Sequence, residues 1–174
     1  MGYVKTVLDR IPVEGNADSS MIYARKIQIA HSDNPENWTW SSIHEAPNEV
    51  AIATMKEEYW TNITGNFNTR KLTPETKYEV VFVVKLEENA DGWHEPVKLN
   101  LKMVMHDKRE FLQEQVVYLD TYKDDDEWVD IKAGDFVAPP NNLPARITFT
   151  MSQHDDSIRK TGLLVKGAAI RAMD

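Results

Sequence analysis

Along residues 77–86, one parity reads Tyr78, Val80, Phe82, Val84 and Leu86, while Lys77, Glu79 and Lys85 occupy the other near its ends. Along residues 97–105, Val97, Leu99, Leu101, Met103 and Met105 alternate with Lys98, Asn100 and Lys102. A period of two sends successive side chains to opposite faces of an extended chain, so each segment predicts a strand with one buried and one wet face. Shorter stretches follow the same rule at residues 22–30, 59–67, 116–119, 128–131, 146–151, 163–166 and 168–173. Turn formers separate them: Thr73-Pro74, Asn89-Ala90-Asp91-Gly92, Ala133-Gly134-Asp135 and Pro139-Pro140-Asn141-Asn142. Only residues 47–58 read as a helix, and weakly. Many short strands punctuated by turns predict an all-β fold, an antiparallel β-sandwich of jelly-roll type. The polar stretch 12–20 reads as a linker, which makes residues 1–20 a flexible N-terminal tail and residues 21–174 the domain.

At 174 residues the chain is one domain long. Twenty basic against 28 acidic residues give a net charge of −8, which supplies no electrostatic reason to approach nucleic-acid phosphates or anionic lipid. Cysteine is absent, so disulfides, thiolate metal sites and a cysteine nucleophile are excluded. No apolar run is long enough for a membrane span or a secretory signal, and a cytoplasmic protein is expected. Met1-Gly2 with Thr6 fits the myristoylation pattern only loosely.

Catalytic and cofactor signatures are missing: there is no GxGxxG, no Walker loop, no GxSxG and no HExxH. The five histidines (His31, His44, His94, His106, His154) lack metal-ligand spacing, so neither a metal nor a cofactor is expected. Asp124-Asp125-Asp126-Glu127 lacks the glycine of a calcium loop and reads as a solvated turn. The sequons at Asn37 and Asn62 read as coincidences of composition.

The most unusual local feature is Ser32 to Trp40, SDNPENWTW. Asp33-Asn34-Pro35 makes a turn past a strand, and two tryptophans follow two residues apart. A loop indole beside Asp and Asn suits sugar binding, with the flat ring against the C–H face of a pyranose and short polar groups on its hydroxyls. The alternative is that both rings are core or loop anchors.

Here the chain resembles the phloem protein 2 family, the Nictaba-like plant lectins, over about residues 21–173. Tyr23-Ala24-Arg25 with Ile27 and Ile29 resembles the family's opening, and Asp33 to Trp40 its D-x-P-x-Y-W-x-W loop. Trp60 to Leu72, WTNITGNFNTRKL, is similar to W-L-x-I-x-G-K-I-x-T-K-x-L. Asp126 to Ile131 with Gly134-Asp135-Phe136, and Lys160 to Gly167 followed by Ile170-Arg171, match two later motifs in the same order.

The resemblance implies a non-catalytic lectin for N-acetylglucosamine oligomers, meaning chitooligosaccharides and N-glycan cores. It also implies frequent homodimers and a nucleocytoplasmic or phloem-sap location. Carried over by position, it makes Trp38 the sugar platform and turns Trp40 inward, while Trp60 and Trp128, on patterned strands, are expected in the core. Asp33, Asn34 and His31 are expected at the hydroxyl or acetamido groups. Three positions depart from the pattern: His31 where members carry tryptophan, Arg146 where the tobacco lectin has an acid, and Arg159 in place of an aromatic. Histidine still stacks or donates, and arginine offers a planar fork of donors, so Arg146 and Arg159 remain candidates. These departures also motivate the alternative, a protein-interaction module with weak or lost sugar binding. RNA is disfavoured by the acidic charge.

Overall fold

The computed structural model describes residues 9–10, 19–45 and 47–173. Its strands are β1 (Asp9–Arg10), β2 (Ser19–Tyr23), β3 (Gln28–Ile29), β4 (Trp38–Glu45), β5 (Asn48–Met55) and β6 (Thr61–Asn68), then β7 (Lys77–Asp91), β8 (Val97–Met105), β9 (Glu110–Val117), β10 (Val129–Val137), β11 (Ala145–Gln153) and β12 (Thr161–Ala172). They form two antiparallel sheets. In one, β12 is central, flanked by β7 and then β10 on one side and by β2–β1 and β5–β4 on the other. The second runs β3-β6-β11-β8-β9. The chain changes sheet at every connection between described strands except β1–β2, β4–β5 and β8–β9, the wrapped path of the expected sandwich.

The core is the meeting of the two inner faces. Tyr78, Val80, Phe82, Val84 and Leu86 of β7 face Val97, Leu99 and Leu101 of β8, with Ile147, Phe149 and Met151 of β11. Phe149 packs edge-on against Phe82 and tilted against Phe67. Gly65 lies directly across from Phe149 in the β6–β11 register, and the Phe149 ring occupies the space a side chain would need there. Strand β7 is apolar on both parities because Val81 and Val83 join Met21 and Ala169 in a second cluster on the outer face, under Tyr23 and Trp128.

One edge is closed by side chains in place of a strand. Asp135 N donates to Gln113 Oε1 at 3.0 Å, and the Gln113 amide donates back to Asp135 O. Gln115 likewise donates to Lys132 O, so β9 covers β10 where a bulge interrupts its pairing with β7. A glutamine amide presents an N–H and a C=O side by side, as a peptide group does, and blunts an edge in the same way.

Four expectations change. Residues 47–58 do not form a helix: Asn48–Met55 pairs with Trp38–Glu45 in a hairpin, because Val50, Ile52 and Met55 find a sheet to pack on. The strand expected at 116–119 begins at Glu110. The two final segments are one strand, bulged beside Gly167, whose φ of 154° lets the backbone sit against Ile22 O. Ser19 and Ser20, expected in the tail, are buried in β2. Residues 1–8 and 11–18 of that tail lie outside the described residues. No helix among the described residues is long and apolar enough to cross a membrane.

Candidate functional site

Three connections meet at one end of the sandwich: 30–37 between β3 and β4, 56–60 between β5 and β6, and 154–160 between β11 and β12. Their contacts follow from the sequence. Asn34 is the hub of the first loop: its Oδ1 accepts Glu36 N at 2.9 Å, and its carbonyl accepts Asn37 N and Trp38 N at 3.0 Å each. Asn side chains bond their own backbone two residues on, which is why Asn-Pro turns here. His31 sits at a φ of 65°, where the chain reverses. Asn37 then ties the first loop to the second: its Nδ2 donates to Glu57 O at 3.0 Å, and its carbonyl accepts Lys56 N at 2.8 Å.

The two tryptophans of the first loop hold it from below. Trp38 is 2% exposed, and its Nε1 donates to Ala30 O at 3.2 Å. Trp40 is half-buried, donates from Nε1 to Ser32 O at 2.9 Å, and carries the Arg25 guanidinium 3.6 Å above its ring. The expectation that Trp38 offers a bare ring to a sugar is therefore corrected. Trp38 opens β4, where the pleat fixes its direction, and here that face is the core face.

The exposed aromatics are elsewhere. Tyr59 is 42% and Trp60 40% exposed, so Trp60, expected in the core, is a correction as well. Trp60 stacks on His154 with ring centroids 4.2 Å apart and planes 9° from parallel. Trp128 lies half-buried over the outer cluster, with Lys166 Nζ 4.7 Å from its ring.

Charged pairs fix the rest of the site. Glu58, buried, accepts from His31 Nδ1 at 2.8 Å and from Tyr59 N at 3.1 Å. Arg159 Nε meets Glu57 Oε1 at 3.1 Å. Glu58 and Lys160 exchange backbone hydrogen bonds, which brings the second and third loops together. Lys160 is 0% exposed, and its ammonium donates to Tyr59 O and, at 3.0 Å each, to Asp155 O and Ile158 O. Burial pushes its pKa down, against the pull of Asp155, Glu58 and Asp156. Burial, then Lys98 and Lys160, also holds His154 below the ordinary histidine value.

Of the expected residues, His31, Asp33, Asn34 and Arg159 come together, all exposed. Arg146 does not. It is the second residue of β11, opposite Asn68, whereas the loops gather at the far end of that strand, six or more residues away, or about 20 Å. Tyr59, Trp60, Glu57, Glu58, His154 and Lys160 were not expected in the site. Trp60 could have been found by parity, since it shares the face of Asn62, Thr64 and Asn66 and not that of Ile63 and Phe67. Among the described residues, no group of His, Asp and Glu side chains is placed to hold a metal.

Comparison with known proteins adds the following. The family sequence model described as Phloem protein 2 matches residues 17–172. Protein PHLOEM PROTEIN 2-LIKE A8 of Arabidopsis thaliana is 46% identical over 163 residues, covering 91% of this chain and 46% of its own length. The chain thus spans about half of that relative, and no more than 63% of three other Arabidopsis proteins of the same description. A Luffa acutangula protein described as a lectin is 35% identical, covering 90% of this chain and 72% of its own length. Among solved structures, a xylan-binding domain from CBM 22 aligns at a TM-score of 0.44 and 12% identity, covering 86% of this chain and 88% of that one.

Proposed function

Because the chain belongs to the phloem protein 2 family, we propose that it is a non-catalytic lectin whose loop cluster binds N-acetylglucosamine oligomers, namely chitooligosaccharides and N-glycan cores. The observation that carries this reading is the Trp60 ring, held flat on His154 yet 40% exposed. A rigid indole backed by a second ring is a platform for the apolar face of a pyranose. His31, Asp33, Asn34 and Arg159 supply the hydrogen-bonding groups on the adjoining loops. Glu58 and Glu57 hold the first and last of these in fixed orientation. Trp38 serves the site by positioning its first loop.

A shallow site of this kind binds in the mM to μM range, about −4 to −8 kcal/mol. Calorimetric titration with chitotriose tests it, with a glycan array beside it. Silence in both at high protein concentration sinks the lectin reading. A chromogenic chitobioside is expected to survive incubation, and turnover abolished by replacing one carboxylate overturns the non-catalytic assignment.

One observation favours the second reading, a protein-interaction module. Phe111, Leu112, Val116 and Tyr118 are exposed on or beside edge strand β9. A protein partner whose capture resists chitotriose competition supports it. The same strip is the proposed place for a homodimer, which sedimentation measures and Leu112→Glu disrupts. A nucleocytoplasmic or phloem-sap location belongs to the same proposal, and a fluorescent fusion tests it.

A further inference from the structure

Trp60 and His154 stand at the top of a column of outward-facing residues. From β6 come Asn62, Thr64, Asn66 and Asn68; from β11, Ser152, Thr150, Thr148 and Arg146; from β8, Lys98, Asn100, Lys102 and Val104. None of these twelve positions is acidic, although the whole chain carries −8. Below the stacked rings, Asn62, Lys98, Asn100, Thr150, Ser152 and His154 line a depression of about 520 Å³. That is within the range of small-ligand sites.

The lining is organised beyond what solvated side chains require. His154 Nε2 donates to Asn62 Oδ1 at 2.9 Å, and Asn62 Nδ2 donates to Thr64 Oγ1 at 3.1 Å. Thr64 Oγ1 lies 3.2 Å from Thr150 Oγ1, which extends the relay from β6 to β11. The Asn62 amide and the Thr64 and Thr150 hydroxyls are thereby oriented before any ligand arrives. Next to Thr150 in the register, Asn100 Oδ1 is shielded and has no hydrogen-bond partner among the described residues. An acceptor left without a donor is destabilising, and Asn100 is one of the residues that line the depression.

We infer that this depression is a second carbohydrate subsite, continuous with the loop cluster through the Trp60–His154 pair. The bound oligosaccharide then runs off the platform and across the outer face of the five-stranded sheet. From the stacked pair to the Thr64–Thr150 row is four residues of strand, about 14 Å, a span longer than a single ring. Amides and hydroxyls line most of it, which suits an uncharged polyhydroxylated chain. Arg146 lies on the same face two rows beyond Thr150, so it can meet only the far end of a long ligand. This inference rests on the lectin reading of the loop cluster.

The test is a length series by calorimetry, chitobiose to chitohexaose, on wild type and Thr150→Arg. Thr150 is half-buried and outward-facing, so the arginine fills the depression and leaves the core alone. Wild type is expected to gain at least ten-fold in affinity from the shortest to the longest oligomer. In Thr150→Arg that gain disappears, and its chitohexaose Kd rises to equal its own chitobiose Kd, with the melting temperature checked against wild type. Equal gains in both proteins, or no gain in wild type, overturn the subsite while the loop site stands. Failure of wild type to bind any oligomer overturns the lectin reading, and the subsite with it.

Discussion

Trp38 and Trp60 should fail in opposite ways when replaced, and this contrast tests the whole placement of the site. Trp38 is 2% exposed and satisfies the Ala30 carbonyl. Removing a buried indole forfeits its packing and leaves a cavity, so Trp38→Ala should cost about 3–5 kcal/mol. That is a large part of the 5–15 kcal/mol that holds a typical domain together. At about 2–4 °C per kcal/mol for a chain of this length, the melting temperature falls by roughly 6–20 °C. Trp38→Phe keeps most of the volume and loses mainly the hydrogen bond, so it should cost about 1–3 kcal/mol and keep chitotriose binding. Trp60→Ala removes a ring that is 40% exposed and stacks on His154, so about 0.5–1.5 kcal/mol of stability is at stake. Its binding should weaken at least ten-fold, or about 1.4 kcal/mol. Urea unfolding followed by circular dichroism and calorimetry with chitotriose read the two quantities separately. A folded Trp38→Phe that has lost binding, beside a Trp60→Ala that has kept it, would refute the assignment.

Three further outcomes are expected. His154 is held below the ordinary value of about 6.5, so between the two values the unfolded chain carries the extra proton and stability falls as pH drops through that window. Against wild type, His154→Gln should shrink the difference in urea midpoint between about pH 7 and pH 5, and an undiminished difference is the contrary result. Lys160→Met orphans three carbonyls on two site loops but also removes a buried charge, for a net cost of about 2–4 kcal/mol in urea unfolding; a change below about 1 kcal/mol contradicts its role as a clamp. Gly65→Ala drives a methyl into the Phe149 ring and should cost about 1–3 kcal/mol, and a melting temperature equal to wild type refutes that packing.

The fold was legible wherever one face of a strand is uniformly apolar. Strands β7 and β8 could be read from Tyr78 to Leu86 and from Val97 to Met105 because their inner faces meet the core along most of their length. The β4–β5 hairpin was not, because residues 41–45 and 48–49 are polar or half-buried on both faces and period two fades there. Strand β9 was missed from Glu110 onward for a related reason. Its inward positions include Gln113 and Gln115, which face another backbone edge and not the core, so polar side chains stand where apolar ones were sought.

The site was legible in its loop and not in its platform, and the reason is a matter of facing. Nothing local in SDNPENWTW separates an indole that meets ligand from one that holds the loop that meets ligand. Both need an aromatic at a fixed spacing from an Asx turn. What decides is whether the strand that follows turns that side chain toward the other sheet, and in β4 it does: Trp38 and Trp40 both donate to carbonyls of the loop they follow. Trp60 falls on the opposite parity from Ile63 and Phe67, and so faces outward with Asn62 and Thr64. The substitution of His31 for the expected tryptophan fits this arrangement. With no ring required at that position, its Nδ1 is given over to Glu58, and Glu58 in turn holds the backbone N–H of Tyr59 beside Trp60. Position 31 and the backbone beside the platform are thus held by the two oxygens of one buried carboxylate.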